Sequence, residues 1–348
     1  MTGLVTGWVP DVLPGYWQCT IPLGPDPDGE GDIVATLVRH GPAENTARRA
    51  HAVLAVHGYT DYFFHTELAD HFAHRGFTFY ALDLRKCGRS RQAGQTPHFT
   101  TDLAHYDVEL ERALAVIGEH APSPTVLVYG HSAGGLIVSL WLDRLRRRGA
   151  TAAAGVGGLV LNSPFLDLHG PAVLRTGVTG ATIAALSRMR TKGVARGTSD
   201  GGYGSSLHRD YHGEFDYNLL WKPLGGFPIT FGWLHAVRRG QTRLHRGLDV
   251  GVRNLILRSD HSVRETADPA GLQCGDAVLD VTLIARWAGC IGNRSTIIPV
   301  TDAKHDVFLS LPQPRRIAYR QLDRWLDDYL QTRDDTDASA PSGKGRQA

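Results

Sequence analysis

Ser132 is the residue of this sequence whose setting points most directly to chemistry. It lies at the centre of a Gly-X-Ser-X-Gly pattern in the stretch VLVYGHSAGG, residues 126–135. The apolar run before the serine predicts a buried strand, and apolar residues within 136–141 recur at helical spacing after it. A serine in such a turn lies at a helix N-terminus, where free amides and the helix dipole favour negative charge. The pattern therefore predicts a strained turn that presents Ser132 as a nucleophile for acyl transfer.

The hydroxyl of Ser132 needs a base and an orienting carboxylate before it can act as a nucleophile. His305 is the candidate base, because it lies in TDAKHDVFLS between the last predicted strand and the last predicted helix. Three aspartates are candidates for the acid, and we favour Asp276, then Asp260, then Asp280. Asp260 directly follows the run RNLILRS, Asp276 precedes the next helical pattern, and Asp280 is expected inside that helix. The aspartates that are not the acid are expected to cap a helix or to stabilise a turn.

An acyl-transfer intermediate also needs two amide donors for its oxyanion. The N–H of Ala133, directly after the nucleophile, is the first candidate. The loop after the run HAVLAVHG supplies the second, the N–H of Tyr59, because Gly58 allows the backbone to approach closely. His57 in that loop and His131 beside the nucleophile are expected to have structural hydrogen-bonding roles. The side chains of Tyr59 and His131 are in addition candidates for contact with the substrate.

Short apolar runs alternate along the chain with longer amphipathic stretches. This alternation is typical of an α/β fold with a mostly parallel sheet that helices cover on both faces. The predicted strands are an antiparallel edge hairpin at 16–21 and 33–38, followed by 51–58, 77–83, 125–130, 157–164, 253–259 and 295–302. Helices are predicted around 64–75, 102–119, 134–148, 278–288 and 314–331.

One long interval interrupts this alternation, between the strand that ends at Asn162 and the strand that begins at Arg253. It is far longer than an ordinary crossover connection. We therefore expect a core formed by residues 1–164 and 251–331, with a lid inserted at 165–250.

The predicted lid is rich in aromatic residues, which could shelter an apolar group. Trp221 and Trp233 are its candidates for contact with substrate. The alternative is that these aromatic side chains form a small core of the lid itself.

The composition is that of a globular protein and excludes several classes of function. The 348 residues carry a net charge of +2 without a basic block, so no nucleic-acid partner is expected. No metal-ligand spacing joins the histidines or the four cysteines, so neither a metal nor another cofactor is expected. The N-terminal stretch lacks the pattern of a secretory signal and no apolar run is long enough for a transmembrane segment. A cytoplasmic location is expected, with at most peripheral membrane contact, and the polar tail 332–348 is expected to be disordered.

Four motifs together resemble the serine-dependent α/β-hydrolases of the lysophospholipase and monoacylglycerol lipase type, which are also grouped with the serine aminopeptidases. The motifs are VHGYTDYFFH (56–65), ALDLRKCGRS (81–90), GHSAGG (130–135) and AKHDVFLS (303–310). The resemblance implies the α/β-hydrolase fold, with Ser132 as nucleophile and His305 as base. It also implies an acid in a motif similar to DAVLDV, which supports Asp276, and oxyanion donors at Tyr59 and Ala133.

These residues favour a serine hydrolase that cleaves carboxylic esters, with lipid-like or other apolar acyl groups, through a covalent acyl-enzyme. Its partner would be a small-molecule ester. One alternative is a peptidase of the serine aminopeptidase type, in which Glu214 and Asp216 of the lid would hold the substrate ammonium group. Another is a non-catalytic member of the fold that binds a small ligand without turnover.

Overall fold

The apolar runs of the sequence form one central sheet. The computed structural model describes residues 7–41, 50–120, 125–266 and 268–338. The strands of the sheet are β1 (Val9–Pro10), β2 (Tyr16–Pro25), β3 (Asp32–His40), β4 (His51–Val56), β5 (Phe77–Asp83), β6 (Thr125–His131), β7 (Val156–Asn162), β10 (Arg253–Ser259) and β11 (Ser295–Val300); β8 (Val194–Arg196) and β9 (Ile229–Thr230) pair separately. Within the described residues the spatial order of the sheet is β1-β2-β3-β5-β4-β6-β7-β10-β11.

The sheet is parallel from β5 to β11 and antiparallel at its first edge. β2 pairs with β3, and β3 with β5, in antiparallel register, which confirms the predicted edge hairpin. The inner parallel strands have few polar residues because both of their faces are covered, whereas the edge strand β11 is largely exposed. Since the carboxyl ends of parallel strands meet at one edge, the residues that follow β4, β6, β7 and β10 lie close together there.

Helices cover both faces of the sheet, as predicted. They are α1 (Thr66–His74), α2 (Asp107–His120), α3 (Ala133–Arg147), α4 (Gly177–Met189), α5 (Gly202–Leu207), α6 (Phe231–Leu244), α7 (Val281–Ala288) and α8 (Pro312–Ala338). One buried cluster joins the sheet to α2, α3, α6 and α7 and includes Trp141 and Ile284. A second cluster joins the opposite face to α1 and α8 and includes Phe72 and Trp325. The two clusters establish the three-layer arrangement that the sequence predicts.

The long interval between β7 and β10 contains α4, β8, α5, β9 and α6. Its aromatic residues do not pack only with one another. Trp233 is buried in the cluster on the α3 face of the sheet. Tyr217 belongs to a third cluster with Tyr62 and Phe64, which lie in the loop after β4. The interval is therefore packed on the core, next to the loop that follows β4.

Two local features differ from the expectations. Asp280 is not inside α7 but caps its N-terminus, where the carboxylate accepts the N–H of Thr282. The backbone of α8 stays helical beyond Thr332, the expected beginning of the disordered tail, as far as Ala338. Residues 339–348 of that tail lie outside the described residues. No helix in the described ranges combines the length and apolarity needed to cross a membrane.

Candidate active site

The turn between β6 and α3 holds Ser132 in a strained backbone conformation. Its φ is 52° and its ψ is −120°, a combination that residues other than glycine rarely adopt. The turn is closed by two hydrogen bonds: the N–H of Ser132 donates to the carbonyl of Asn162 at 3.0 Å, and the N–H of Phe165 donates to the carbonyl of Ser132 at 2.9 Å. The side chain of Ser132 remains half-buried rather than enclosed. The strain therefore presents the hydroxyl to the site.

Three glycines allow this turn because the backbone is crowded on every side. A Cβ at Gly130 would lie 2.7 Å from Val138 Cγ2, and one at Gly134 only 2.3 Å from the carbonyl oxygen of His57. At Gly135 a Cβ would lie 2.8 Å from Pro164 Cβ. A side chain at Gly130 would separate β6 from α3, whereas one at Gly134 or Gly135 would push α3 away from the residues at the end of β4 or after β7.

Ser132, His305 and Asp276 form a continuous line of hydrogen bonds. Nε2 of His305 lies 2.9 Å from Oγ of Ser132, and Nδ1 lies 2.9 Å from Oδ2 of Asp276. The carboxylate can only accept, so Nδ1 carries the ring proton and Nε2 is the acceptor that faces the serine hydroxyl. His305 and Asp276 are both buried. The hydrogen bonds therefore link a base in the tautomer required for catalysis to the hydroxyl of Ser132, which is only partly buried.

A short parallel bridge places Asp276 at this position. Asp276 pairs with Ser262, just beyond β10, so the residues between them form a loop that returns to the edge of the sheet. Oδ1 of Asp276 accepts the N–H groups of Val278 and Leu279, both at 2.8 Å. One carboxylate oxygen is therefore fixed by backbone amides while the other faces His305.

The other two candidate acids lie elsewhere. Asp260 is partly exposed at the end of β10, where Oδ1 lies 2.7 Å from Nδ1 of His261 and accepts the N–H of Asp302 at 3.1 Å. Asp280 serves as the cap of α7. Each has the capping or turn role that the sequence offers as the alternative to catalysis.

The loop after β4 lies directly against the nucleophile. A Cβ at Gly58 would lie 2.9 Å from Cβ of Ser132. This contact puts the peptide that follows Gly58, and so the N–H of Tyr59, beside the serine. Ala133 is the first residue of α3, so its N–H has no acceptor within the helix. Tyr59 and Ala133 therefore remain the candidate oxyanion donors.

The fold, and the sequence of the part of the chain that contains Ser132, are similar to known proteins. Residues 47–215 match the family model Hydrolase_4, serine aminopeptidase S33. The chain has the α/β-hydrolase fold, and residues 47–215 are similar to the serine aminopeptidase S33 family. No curated protein matches the sequence significantly.

Solved structures of hydrolases share this fold over nearly the whole chain. A soluble variant of monoglyceride lipase from Saccharomyces cerevisiae, in complex with a substrate analog, has a TM-score of 0.58 at 15% identity and covers 94% of this chain and 96% of its own. A thermostable carboxyl esterase from Bacillus coagulans, in complex with glycerol, has a TM-score of 0.59 at 13% identity and covers 90% of this chain and 99% of its own. At these identities the likeness is one of fold.

In this fold, His57 stabilises the loop after β4, which carries the candidate oxyanion donor Tyr59. Its Nε2 accepts the N–H of Leu84 at 3.1 Å, so Nδ1 carries the proton and donates to the carbonyl of Gly58 at 2.8 Å. The ring is buried. His57 thus ties the end of β5 to the loop beside Ser132, which is the structural role expected of it.

A buried ion pair holds the same loop from the side of the inserted interval. Oδ1 of Asp61 lies 2.7 Å from Nζ of Lys222, and both side chains are nearly inaccessible to solvent. Burial raises the pKa of Asp61, but the charges of Lys222, His131 and His57 together with the hydrogen bond from Lys222 outweigh it, and the pKa falls to about 2. Asp61 is therefore a structural carboxylate that stays ionised at neutral pH.

The candidate substrate residues have different surroundings. His131 is buried beside the site, with its ring centroid 4.9 Å from that of His305, and burial lowers its pKa. Trp233 lies 4.2 Å from Tyr59, centroid to centroid. Trp221 instead meets the edge of the Tyr62 ring at 5.1 Å, where it packs beneath a neighbouring arginine.

Three further residues near His305 were not among the sequence candidates as site residues. Asn162 at the end of β7 donates from Nδ2 to Oδ1 of Asp306 at 2.7 Å. The N–H of Asp306 in turn donates to the hydroxyl of Tyr203 at 3.1 Å. Two signals in the sequence could have identified the first two of these residues. Asp306 directly follows the candidate base, and Asn162 lies at the end of a strand. Nothing in the sequence connects Tyr203, which lies in α5, with this loop.

One group of side chains in the described residues has the composition of a cation site. Asp260, His261 and Asp302 offer ligand atoms within 4.8 Å of one another. They lie at the surface, and Asp260 is already hydrogen-bonded to both of the others. These hydrogen bonds account for the arrangement without an ion.

Proposed function

We propose that this protein is a serine hydrolase that cleaves carboxylic esters with apolar acyl groups through an acyl-enzyme. The observation that carries the proposal is the line of hydrogen bonds from Asp276 through His305 to Ser132, with both links at 2.9 Å. A serine, a neutral imidazole and a fixed carboxylate in this order are the parts that nucleophilic acyl transfer requires.

In acylation, Oγ of Ser132 attacks the ester carbonyl carbon while Nε2 of His305 takes the hydroxyl proton. Asp276 stabilises the imidazolium that forms and keeps the ring in its tautomer. The carbonyl oxygen becomes an oxyanion, which the N–H groups of Tyr59 and Ala133 stabilise together with the N-terminal dipole of α3. When the C–O bond to the leaving group breaks, His305 returns its proton to the departing alcohol.

In deacylation, water takes the place of the alcohol. His305 removes a proton from the water as it attacks the acyl carbon, and the bond to Oγ of Ser132 breaks. The serine recovers its proton from His305, and a carboxylic acid leaves. Ser132 is only partly buried, which is consistent with attack by water at this position.

Aromatic side chains beside the nucleophile support an apolar acyl group. Phe165 follows the turn around Ser132 and stacks on Trp233 at a centroid distance of 6.5 Å. Tyr59 also contacts Trp233, at a centroid distance of 4.2 Å. We propose that residues 165–250 form a lid over this region; the hydroxyl of Tyr59 donates to the carbonyl of Pro228 at 2.7 Å, which supports the proposal.

The peptidase alternative is weaker because its carboxylates are already paired. Glu214 lies 3.2 Å from Arg315 and Asp216 lies 3.1 Å from Arg209, and both carboxylates are at the surface. Each of these carboxylates is directed to an arginine, and these contacts do not bring it to Ser132 to bind a substrate ammonium group. Hydrolysis of p-nitrophenyl esters of graded chain length should therefore exceed that of aminoacyl-arylamides. Preference for the arylamides would replace the esterase proposal with the peptidase.

A fluorophosphonate probe separates an enzyme from a ligand-binding member of the fold. The wild-type protein should be labelled covalently, and Ser132→Ala should not. Ser295→Ala at the opposite end of the sheet is the control and should be labelled at the wild-type rate. A folded wild-type protein that stays unlabelled would contradict the proposal.

We also propose a reducing compartment, the cytoplasm, as the place of action. Cys19, Cys87, Cys274 and Cys290 are all free thiols, which a reducing environment maintains.

A further inference from the structure

We propose that α5 of the inserted interval holds the candidate base in place, with Tyr203 as the positioning residue for His305. This inference rests on the proposed function and goes beyond it, because it assigns to a segment outside the sheet a part in the alignment of the triad.

Three consecutive residues of the histidine loop contact α5. Nζ of Lys304 donates to the carbonyl of Ser206 at 2.6 Å. The ring of His305 meets that of Tyr203 at a centroid distance of 5.6 Å and an interplanar angle of 79°, an edge-to-face contact. The N–H of Asp306 donates to the Tyr203 hydroxyl at 3.1 Å. One side chain of α5 thus fixes both the imidazole and the backbone next to it.

The sheet holds the same loop from its other side. Oδ1 of Asn162 accepts the N–H of Val307 at 3.2 Å, and its Nδ2 donates to Asp306 at 2.7 Å. Asp306 also accepts the N–H of Phe308 through the same carboxylate oxygen, at 3.0 Å. These contacts fix residues 306–308. They do not touch the imidazole itself, which is hydrogen-bonded to Asp276 and Ser132 and lies against the rings of Tyr203 and His131.

The position of α5 is fixed by close backbone contacts and by a hydrogen bond from a buried side chain. A Cβ at Gly204 would lie 2.5 Å from the carbonyl oxygen of Leu224, and one at Gly202 would lie 2.3 Å from that of Glu265. The hydroxyl of Tyr217 donates to the carbonyl of Gly204 at 2.9 Å. Because α5 cannot shift without moving these segments, it is a rigid support for the histidine loop.

The chemistry of Tyr203 and Lys304 suits a positioning role. Burial raises the pKa of Tyr203 well above its usual value, so its hydroxyl stays neutral and can accept from Asp306 across the working pH range. Burial lowers the pKa of Lys304 to about 8, yet the amino group donates to Ser206 in either charge state. Neither residue has to gain or lose a proton in the reaction.

The test compares Tyr203→Ala and Tyr203→Phe with wild type, using a p-nitrophenyl ester and the fluorophosphonate probe. Loss of the ring should lower kcat and the labelling rate about 100-fold, the effect of a small misplacement of a catalytic group. KM should stay within about twofold, because no contact with substrate is removed. Tyr203→Phe keeps the ring over His305 and should recover most of kcat, leaving a deficit of a few-fold.

Tyr211→Phe is the matched control, since Tyr211 is a half-exposed tyrosine of the same inserted interval. It should match wild type in kcat, KM and labelling. Lys304→Met provides an independent variant that keeps the side-chain stem and loses the hydrogen bond to Ser206. It should also lower kcat more than it raises KM, even if Tyr203→Ala proves unable to fold.

Each outcome is decisive. A folded Tyr203→Ala with wild-type kcat would overturn the inference alone, and so would a variant in which only KM rises, since that would make Tyr203 a substrate contact. A wild-type protein that neither turns over esters nor reacts with the probe would overturn the proposed function, and the inference with it.

Discussion

Oδ2 of Asp276 lies 2.9 Å from Nδ1 of His305, while Oδ1 of the same carboxylate accepts two backbone N–H groups. The two oxygens therefore have separate tasks. One fixes the side chain, and the other determines which nitrogen of the imidazole carries the proton. A substitution that keeps the first oxygen and changes the second tests the orienting role by itself.

Asp276→Asn makes this change. The amide oxygen can still accept from Val278 and Leu279, but the NH₂ group would then face Nδ1 of His305, donor against donor. The ring would be driven to the other tautomer, with its Nε2 proton facing Ser132. We expect kcat to fall roughly 10³- to 10⁴-fold with little change in stability, measured by ester turnover and by chemical denaturation.

Asp260→Asn is the control for this prediction. Its carboxylate contacts His261 and Asp302 at the surface instead of the candidate base. Turnover should stay within about twofold of wild type. The opposite result, an inactive Asp260→Asn beside an active Asp276→Asn, would assign the acid to Asp260.

The regular elements were predictable because each carries its own periodicity. The run predicted as a strand at 51–58 forms β4 at His51–Val56, and α3 begins directly after Ser132. The succession of strands and helices along the chain also follows from the alternation of apolar runs, whereas the spatial order, with β5 between β3 and β4, was not predicted. These features depend on neighbours in sequence.

The rest of the site depends on contacts between distant segments. Lys222 and Asp61 are far apart in sequence, and neither has a local pattern that reveals the other. Asp276 reaches His305 only because of its bridge to Ser262. The ring of Trp221 packs on Tyr62, which sequence analysis of the interval could not distinguish from contact with a substrate.

The close contact between Gly134 and the end of β4 predicts that a side chain at this position destabilises the protein. In Gly134→Ala the new Cβ would lie 2.3 Å from the carbonyl oxygen of His57 and 2.6 Å from that of Val56. Both obstacles are backbone atoms, so α3 must move away from the strand. We expect a loss of about 2–3 kcal/mol in the free energy of unfolding, measured by urea denaturation. Turnover should also fall, because the loop after β4 shifts relative to Ser132.

Gly118→Ala is the comparison for this variant. Gly118 lies in α2 with open space where its Cβ would be. The substitution should raise stability by about 0.5 kcal/mol, because alanine loses less backbone entropy in a helix. Equal changes in stability at the two positions would show that the contact with β4 is not the reason why position 134 requires glycine.

The ion pair between Asp61 and Lys222 predicts a strong effect of removing one partner. Lys222→Met would leave Asp61 ionised and buried without its counter-charge, at a cost of about 3–5 kcal/mol in the free energy of unfolding. Adding Asp61→Asn should recover a large part of this loss, because the uncompensated charge is removed as well. Lys192→Met is the control: Lys192 is exposed and pairs with Glu30, so its loss should be below about 1 kcal/mol.

The same pair predicts how acid acts on this site. The pKa of Asp61 is about 2, below its ordinary 3.8, so the stability it contributes is fully present above pH 3.8. That contribution is lost as the pH falls from 3.8 through about 2. In the double variant this part of the acid dependence should disappear. A double variant less stable than Lys222→Met alone would contradict the account.

His65 predicts a separate pH dependence at milder acidity. It is buried at the start of α1 and lines a cavity of about 40 Å³ with Asp61, His131 and Asp306, and its Nε2 has no hydrogen-bond partner among the described residues. Burial lowers its pKa from 6.5 to about 4. Between these values the unfolded chain binds a proton that the folded protein does not.

Stability should therefore be unaffected by His65 above pH 6.5 and should fall as the pH drops from 6.5 to about 4. At pH 5 this single group lowers the free energy of unfolding by about 2 kcal/mol relative to pH 7. His65→Leu should reduce the difference between the two pH values by that amount, as measured by urea denaturation at each. His74→Gln, at an exposed position of α1, controls for the loss of a histidine; if it reduced the difference equally, burial of His65 would not be its cause.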